Sequence, residues 1–232
     1  MNKKKSYIYD NRIVYKPWGN EYVIYRNSNK LSVTLLNIDY NKKTSLHCHP
    51  TKKTGFIVLS GNALIQLGLW KATSKNFIAP SKLMIRTGLF HSIKAVSKKG
   101  LCALEFETPV NKKDLVRFND DYGREKKPYE GKEFTKKTSK NNIVFKNKNN
   151  KEIQKYIFDK KVELSLEVHN NFKLLNKEKM QTIFAILDGQ VVDRFNRSVL
   201  SYGDIIKTGT LKKLSEVFKI KKSLVLLKVK NI

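Results

Sequence analysis

The sequence has few cysteines and no long apolar run, and each shortage excludes a class of protein. Two Cys among 232 residues are too few for a disulfide framework, which favours a reducing, cytoplasmic setting. No stretch approaches about 18 apolar residues, so we expect no transmembrane helix and no membrane partner. The basic first residues are not followed by an apolar segment, so we also expect no secretory signal.

Acidic residues and arginine are both scarce beside lysine. Lys and Arg total 47 against 20 Asp and Glu, which gives a formal net charge of +27. Only seven of the basic residues are Arg, the side chain favoured for bidentate contacts to phosphates and bases, and the lysines are scattered along the whole chain. We therefore expect no nucleic-acid partner and a general attraction to small anionic substrates.

The sequence does contain many short segments rich in β-branched and aromatic residues. Turn-forming residues separate them at the spacing of a β-sandwich or barrel. No long amphipathic helix is predicted, and the one short helical candidate is segment 111–118, with Asn111 as its cap. The sequence therefore predicts an all-β fold, with strands within 22–25, 31–36, 56–59, 63–67, 101–106, 162–168, 182–187, 190–192 and 223–229.

The composition changes near residue 125, where a lysine-rich stretch begins. We interpret this stretch as a basic linker, 128–140, between an N-terminal domain, 1–127, and a C-terminal domain, 141–232. A weak internal repeat supports the division. Segment 58–63 is similar to 186–191, and 83–91 is similar to 204–212, in the same order.

Three of the four histidines fall in the first half of the chain. His47 and His49 are two residues apart, so on a strand both side chains point to one face while Cys48 points to the other. Two such imidazoles, with His91 from a neighbouring strand, would bind one divalent transition metal and leave positions open for water or substrate. Zn, Fe, Mn, Ni and Co all remain compatible with this set.

The spacing of these histidines resembles the two motifs of the cupin superfamily. His47-Cys48-His49, followed by Gly61, is similar to the first motif. The second motif resembles segment 86–91, which ends in His91 and has Arg86 where the family has Pro. The resemblance implies two cupin domains, each a jelly-roll β-barrel.

The second domain is degenerate in this reading. Its repeat lacks a His-x-His pair, and Lys212 aligns with His91, so we expect no metal there. The first domain departs from the cupin pattern at Thr54, where the family has a Glu ligand. Three arrangements stay open: a metal on three His alone, a carboxylate supplied from another strand by Glu105 or Glu107, or a vacated site.

Two further segments resemble sugar-phosphate isomerases of the type II phosphomannose isomerase kind, namely 16–21 and 105–124. This resemblance implies a metal-dependent isomerase or epimerase that acts on a phosphorylated or nucleotide-linked sugar in surface-polysaccharide metabolism. Cupins commonly pair, so it also implies a homodimer. The implied catalytic base is Glu105 or Glu107, and the implied substrate contacts are Lys16, Lys53, Arg86, Arg117 and Arg124.

Two other functions remain open at this point. Thiol dioxygenases also lack the cupin Glu, so a three-His iron dioxygenase is one alternative. A non-catalytic sugar-binding or regulatory bicupin is the other, since cupin barrels host many unrelated functions.

Overall fold

The structure, a computed structural model, describes residues 9–124, 131–146 and 153–232. Its strands are β1 Arg12–Lys16, β2 Gly19–Asn27, β3 Leu31–Ile38, β4 Leu46–Cys48, β5 Lys53–Ser60, β6 Asn62–Leu67, β7 Lys75–Ile78, β8 Ser81–Ile85, β9 His91–Ala95, β10 Leu101–Thr108, β11 Val116–Asn119, β12 Thr135–Lys137, β13 Gln154–Phe158, β14 Val162–His169, β15 Ile183–Asp188, β16 Gln190–Val192, β17 Ser198–Ser201, β18 Ile205–Lys207, β19 Lys219–Ile220 and β20 Leu224–Asn231. The helical elements are α1, Thr208–Ser215, and single 3-10 turns at Lys71–Thr73, Lys132–Phe134 and Leu175–Lys177.

The strands form two β-sandwiches, here called the first unit (β1–β12) and the second unit (β13–β20). The first unit has a large sheet, β12-β1-β2-β3-β10-β5-β8, and a small sheet, β11-β4-β9-β6-β7. The second unit has a large sheet, β13-β14-β20-β15-β18, and a small sheet, β17-β16-β19. The predicted all-β fold of two cupin-type jelly-roll units is confirmed. Among the described residues, no helix is long and apolar enough to cross a bilayer.

Alternation along the central strand β10 divides the first unit into two layers. Side chains on successive strand residues point to opposite faces of the sheet. One face of β10 is apolar throughout and packs towards the second unit, through Cys102, Leu104 and Phe106. The other face points into the first sandwich and changes from apolar to acidic along the strand, through Leu101, Ala103, Glu105 and Glu107. The inside of the first unit is therefore apolar at one end and charged at the other.

The two large sheets pack against each other through one shared core. Ile57 and Leu104 of the first unit belong to the same cluster of buried side chains as Leu164 and Leu227 of the second, and all four are fully buried. Burial of apolar area at this scale is the main stabilising contribution in a domain. The two units therefore depend on each other for part of their core.

The internal repeat predicted from sequence corresponds to equivalent turns in the two units. Gly61 directly follows β5 and Gly189 directly follows β15, and both adopt positive φ, 82° and 88°. A Cβ at Gly61 would collide with the backbone of Gly100, before β10, and a Cβ at Gly189 would collide with that of Ser223, before β20. Both positions therefore require glycine, because of the close approach and the backbone conformation.

Two local predictions are wrong. Segment 111–118 is a turn followed by β11, because Asn111 caps the Lys113 N–H at 3.0 Å in a turn and Arg117 then pairs with His47 in the sheet. Lys212 does not take the place of His91, because it lies on α1. The strand that pairs with β16, as β9 pairs with β6, is β19 instead.

Part of the predicted basic linker belongs to the first unit. Residues 135–137 form β12, which pairs with β1 at the edge of the first large sheet. Residues 128–130 of that linker lie outside the described residues.

Candidate metal centre

Three histidine side chains meet on the inner face of the first unit's small sheet. His47 of β4 stands directly opposite His91 of β9, and His49 follows β4 by one residue. Opposite residues in an antiparallel pair project their side chains to the same face. The ligand nitrogens of the three imidazoles all lie within 4.8 Å of one another.

Each imidazole is oriented by a hydrogen bond from its Nδ1 atom to a backbone carbonyl. The acceptors for His47, His49 and His91 are the carbonyl oxygens of Ser45 at 2.8 Å, Asp114 at 2.6 Å and Leu89 at 2.9 Å. A carbonyl oxygen only accepts, so Nδ1 carries the proton and the Nε2 lone pair is left available. Carbonyls that hold ligating histidines in this way are usual around protein metal sites.

The Nε2 atoms fit a metal ion. Those of His49 and His91 are buried and have no hydrogen-bond partner among the described residues. Burial lowers the pKa of His49 and of His91 to about 4 and that of His47 well below its usual value. The three rings are therefore neutral near pH 7, which is the form that binds a metal.

No carboxylate belongs to this cluster in the described part of the chain. At the position of the cupin Glu, Thr54 has a buried hydroxyl without a hydrogen-bond partner among those residues. Cys48 is a buried free thiol on the alternate position of β4. The structure therefore brings three His together without a carboxylate from the described residues, and a metal on these three His stays a proposal.

A cavity of about 80 Å³ adjoins the cluster and is strongly charged. Trp18, Leu36 and Phe56 form its apolar wall. The cations on its lining are Lys16, Lys52, Lys112, Arg117 and Arg124, and the acids are Glu21, Glu105 and Glu107.

Glu107 lies at the centre of a buried ion network. Its carboxylate accepts hydrogen bonds from the ammonium groups of Lys52 at 2.5 Å and Lys112 at 2.9 Å and from the Ser32 hydroxyl at 3.1 Å. Burial alone would raise the pKa of Glu107, but the two ammonium groups outweigh it and hold that pKa well below its usual value. Glu107 is therefore ionised and held in place.

Glu105 has a different environment, although it shares the face of β10 with Glu107. Its carboxyl group has no hydrogen bond or ion pair with any described residue, and it lines the cavity. Burial, together with the negative charge of Glu107, raises the pKa of Glu105 to about 8. Two neighbouring carboxyl groups with separated pKa values are a frequent feature of acid–base sites.

Two of the predicted substrate contacts are held together at the cavity wall. Arg124 forms a bidentate pair with Asp120, at 2.9 Å from Nε and 2.7 Å from Nη2. Arg117 donates to the carbonyl oxygen of Arg124 at 3.2 Å. Lys16 lies 3.6 Å from Glu21, with its side chain almost wholly buried.

The structure does not bring Lys53 and Arg86 to the cavity. The Lys53 ammonium points to the second unit and pairs with Asp204 at 2.9 Å. Arg86 is exposed in the turn between β8 and β9.

The sequence reasoning missed three residues that shape this site, namely Lys52, Lys112 and Asp114. The Asp114 carboxylate accepts the N–H groups of Thr51 at 3.1 Å and Lys52 at 2.8 Å, so it fixes the loop that carries Lys52 into the cavity. Lys52 lies between β4 and β5, where no periodicity indicates its direction. The available signal was Asp114 itself, which lies within the isomerase-like segment 105–124.

The fold and the three-His site define a cupin. Residues 3–120, just over half of the chain, match the family model described as mannose-6-phosphate isomerase C-terminal. The chain belongs to this family. No curated protein sequence matches it.

Several solved structures are similar to part of this chain at low identity. An uncharacterized conserved protein with a double-stranded β-helix domain from Klebsiella pneumoniae is 16% identical, with 43% of this chain and 79% of that chain covered and a TM-score of 0.39. KdgF from Halomonas sp. is 12% identical, with 42% and 86% covered and a TM-score of 0.38. The capsular polysaccharide assembling protein CapF from Staphylococcus aureus is 14% identical, with 47% and 34% covered and a TM-score of 0.42.

Proposed function

We propose that the protein is a metal-dependent isomerase or epimerase that acts on a phosphorylated or nucleotide-linked sugar, in the manner of phosphomannose isomerases. The observation that carries this proposal is the set of three imidazoles with Nδ1 fixed, beside a cavity lined by the ionised Glu107 and by Glu105, whose pKa is raised to about 8. Family membership supports it. In this proposal the enzyme is cytoplasmic and works as a homodimer.

The chain's own residues divide the chemistry among them. A divalent cation on His47, His49 and His91 would polarise the sugar's carbonyl oxygen. Glu105 transfers the proton next to that carbonyl, because its pKa of about 8 lies near the operating pH and no partner holds its carboxyl group.

Charged side chains around the cavity bind the rest of the substrate. Arg117 and Arg124 supply guanidinium groups for its phosphate. Lys16, on the same lining, adds a third positive charge. Lys53 and Arg86 have no part in this proposal, since neither lies at the cavity.

The three-His set also favours a second candidate. Because no carboxylate belongs to the cluster in the described residues, the donors match those of three-His iron dioxygenases as well. Oxygen consumption by the iron-loaded protein with small thiols, absent with sugar phosphates, would support that function.

The deciding experiment is elemental metal content, followed by a sugar screen. The purified protein is expected to hold about one transition metal per chain, and a His47→Ala/His49→Ala variant is expected to hold none. His169→Ala is the matched control, because His169 belongs to the second unit and pairs with Glu167. The metal-loaded protein is then assayed against sugar phosphates and nucleotide sugars.

Two outcomes contradict the proposal. Absence of bound metal after reconstitution with Fe, Mn, Ni, Co and Zn would exclude both metalloenzyme functions and favour a sugar-binding module. Bound metal without turnover of any sugar, but with oxygen uptake on thiols, would favour the dioxygenase.

A further inference from the structure

A buried ammonium group lies beside the three-His cluster and needs an explanation. Lys52 is only 2% exposed, and the loop that carries it begins directly after His49. Its side chain lines the same cavity as His47 and His49. An ammonium group next to a cation site repels the cation.

The carboxylate that pairs with Lys52 is shared with other donors. Glu107 is the partner of Lys52, and the same carboxylate also binds Lys112 and Ser32. An ammonium has three donors, and the contacts of Lys52 among the described residues use one of them. The charge and the hydrogen-bonding capacity of Lys52 are therefore only partly satisfied.

A second donor without a partner lies on the face of the large sheet that carries Glu107. Thr54 stands opposite Glu107 in the pairing of β5 with β10 and is 1% exposed. Its hydroxyl has no hydrogen-bond partner among the described residues, and it occupies the place where cupins have a ligating Glu. A buried hydroxyl without a partner costs free energy unless something binds it.

We infer that Lys52 and Thr54 form a subsite for one small oxyanion beside the three-His cluster, where it takes the place of the missing glutamate. An anion there attracts the Lys52 ammonium and a cation on the histidines, and so removes their mutual repulsion. Cation and anion then bind cooperatively, each strengthening the other by the same factor.

This subsite restricts the substrate to molecules that carry a small oxyanion. It depends on the proposed function only in assuming a metal on the histidines. The cavity volume of about 80 Å³ admits a carboxylate or phosphate group with a few further atoms. The substrate therefore presents a small oxyanion to the inner wall. This group is either the carboxylate of a sugar acid or a phosphate that binds at Lys52 rather than at Arg117 and Arg124.

The test measures metal affinity with and without a simple anion. The apparent dissociation constant of Co²⁺ is measured from the visible absorption of the loaded protein, in a buffer without coordinating anions and then with acetate or with phosphate. We expect about tenfold tighter Co²⁺ binding with the preferred anion, within the usual range of coupling between sites. Equal affinity in all three buffers would overturn the inference. The more effective anion distinguishes a carboxylate substrate from a phosphate.

Variants assign the effect to its residues. Thr54→Glu supplies a carboxylate from the chain, so Co²⁺ should bind tightly and independently of added anion. Lys52→Met should lose the anion effect, whereas Lys113→Met should keep it, because Lys113 is exposed in the loop that also carries Lys112. An anion effect retained in Lys52→Met would contradict the inference. If Lys52→Met does not fold, the effect of anions on Co²⁺ affinity in Thr54→Glu and in the native protein still tests the inference.

The result separates this inference from the proposed function. Calorimetric binding of acetate or phosphate to the metal-free protein, lost in Lys52→Met, would support the subsite even if no metal binds. Tight Co²⁺ binding without any response to anions would support the metal site and contradict the anion subsite.

Discussion

Lys228 in the second unit occupies the position that Glu105 occupies in the first. Glu105 pairs across the sheet with Phe56, and Lys228 pairs in the same way with Phe184. Each phenylalanine stands five residues before a turn glycine, Gly61 or Gly189. The two charged side chains are therefore equivalent in register and point into their own sandwiches.

The surroundings of the two positions differ. Lys228 is paired with Glu167 at 2.6 Å and Glu178 at 2.8 Å, and Glu167 also accepts from His169 at 3.0 Å. Its charge is satisfied, which suits a stabilising network. Glu105 has no such partner among the described residues, and an unpaired carboxyl group in a cavity suits proton transfer.

Glu105→Gln is expected to stabilise the protein while it reduces activity. The folded pKa of about 8 lies above the usual 4.5, so between these values the unfolded chain ionises and the folded protein does not. Stability is therefore lost as pH rises through this range, by about 3 kcal/mol at pH 7. Urea unfolding should show that the free energy of unfolding of the variant, relative to that of the native protein, is higher at pH 8 than at pH 5.

Glu105→Gln should also lower the kcat of the metal-loaded protein on its sugar substrate by about 10²- to 10⁴-fold, the usual contribution of a positioned acid or base. Glu107→Gln is the control with the opposite sign, because it removes a paired carboxylate and should destabilise the protein. A Glu105→Gln variant with an unchanged pH dependence of stability would show that Glu105 is ionised in the folded state.

Asp114 is expected to act as a positioning residue for the metal site. Its carboxylate fixes the loop at Thr51 and Lys52, and its carbonyl holds His49. Asp114→Asn directs an amide donor at those N–H groups, so we expect Co²⁺ or Zn²⁺ affinity to fall about 10- to 100-fold with the fold retained. Calorimetry measures the change, with Asp121→Asn as a control on the exposed turn. Unchanged affinity would assign Asp114 a role in folding alone.

The sequence predicted the central strands because they are strongly apolar and alternate. It also predicted the His triad, because the spacing of His47, His49 and His91 resembles the two cupin motifs. It missed short strands such as β7, β11 and β17, in which four residues are held by their neighbours rather than by their own propensity.

The prediction of Lys53 as a substrate contact shows how a one-residue difference decides a role. Lys53 begins β5 and lies on the face that also carries Gly55 and Ile57, towards the second unit. Thr54 lies on the opposite face, and Lys52 enters the cavity from the loop. Without the start of β5, the sequence could not assign the faces, because a shift of one residue exchanges them.

The Glu167 network is expected to stabilise the second unit only above acid pH. Burial opposes ionisation of Glu167, but hydrogen bonds from His169, Lys228 and Ser165 lower its pKa to about 2. Because this value is below the usual 4.5, the stabilisation is present above pH 4.5 and lost as pH falls towards 2. Glu167→Gln should therefore cost about 3 kcal/mol at pH 7 and much less near pH 2.5. A cost independent of pH would contradict the ionised network.

The shared core predicts that a cavity in the second unit destabilises the first. Leu164 is fully buried in the cluster that joins the two large sheets, so Leu164→Ala should cost about 2–5 kcal/mol. Both tryptophans, Trp18 and Trp70, belong to the first unit, so their fluorescence reports its unfolding separately. We expect the urea midpoint measured by tryptophan fluorescence to fall in Leu164→Ala and to coincide with the midpoint from circular dichroism.

The control is Leu174→Ala, at an exposed position of the second unit, which should leave the tryptophan midpoint unchanged. A tryptophan midpoint insensitive to Leu164→Ala would mean that the two units unfold independently, and the second would then be dispensable for the stability of the metal site.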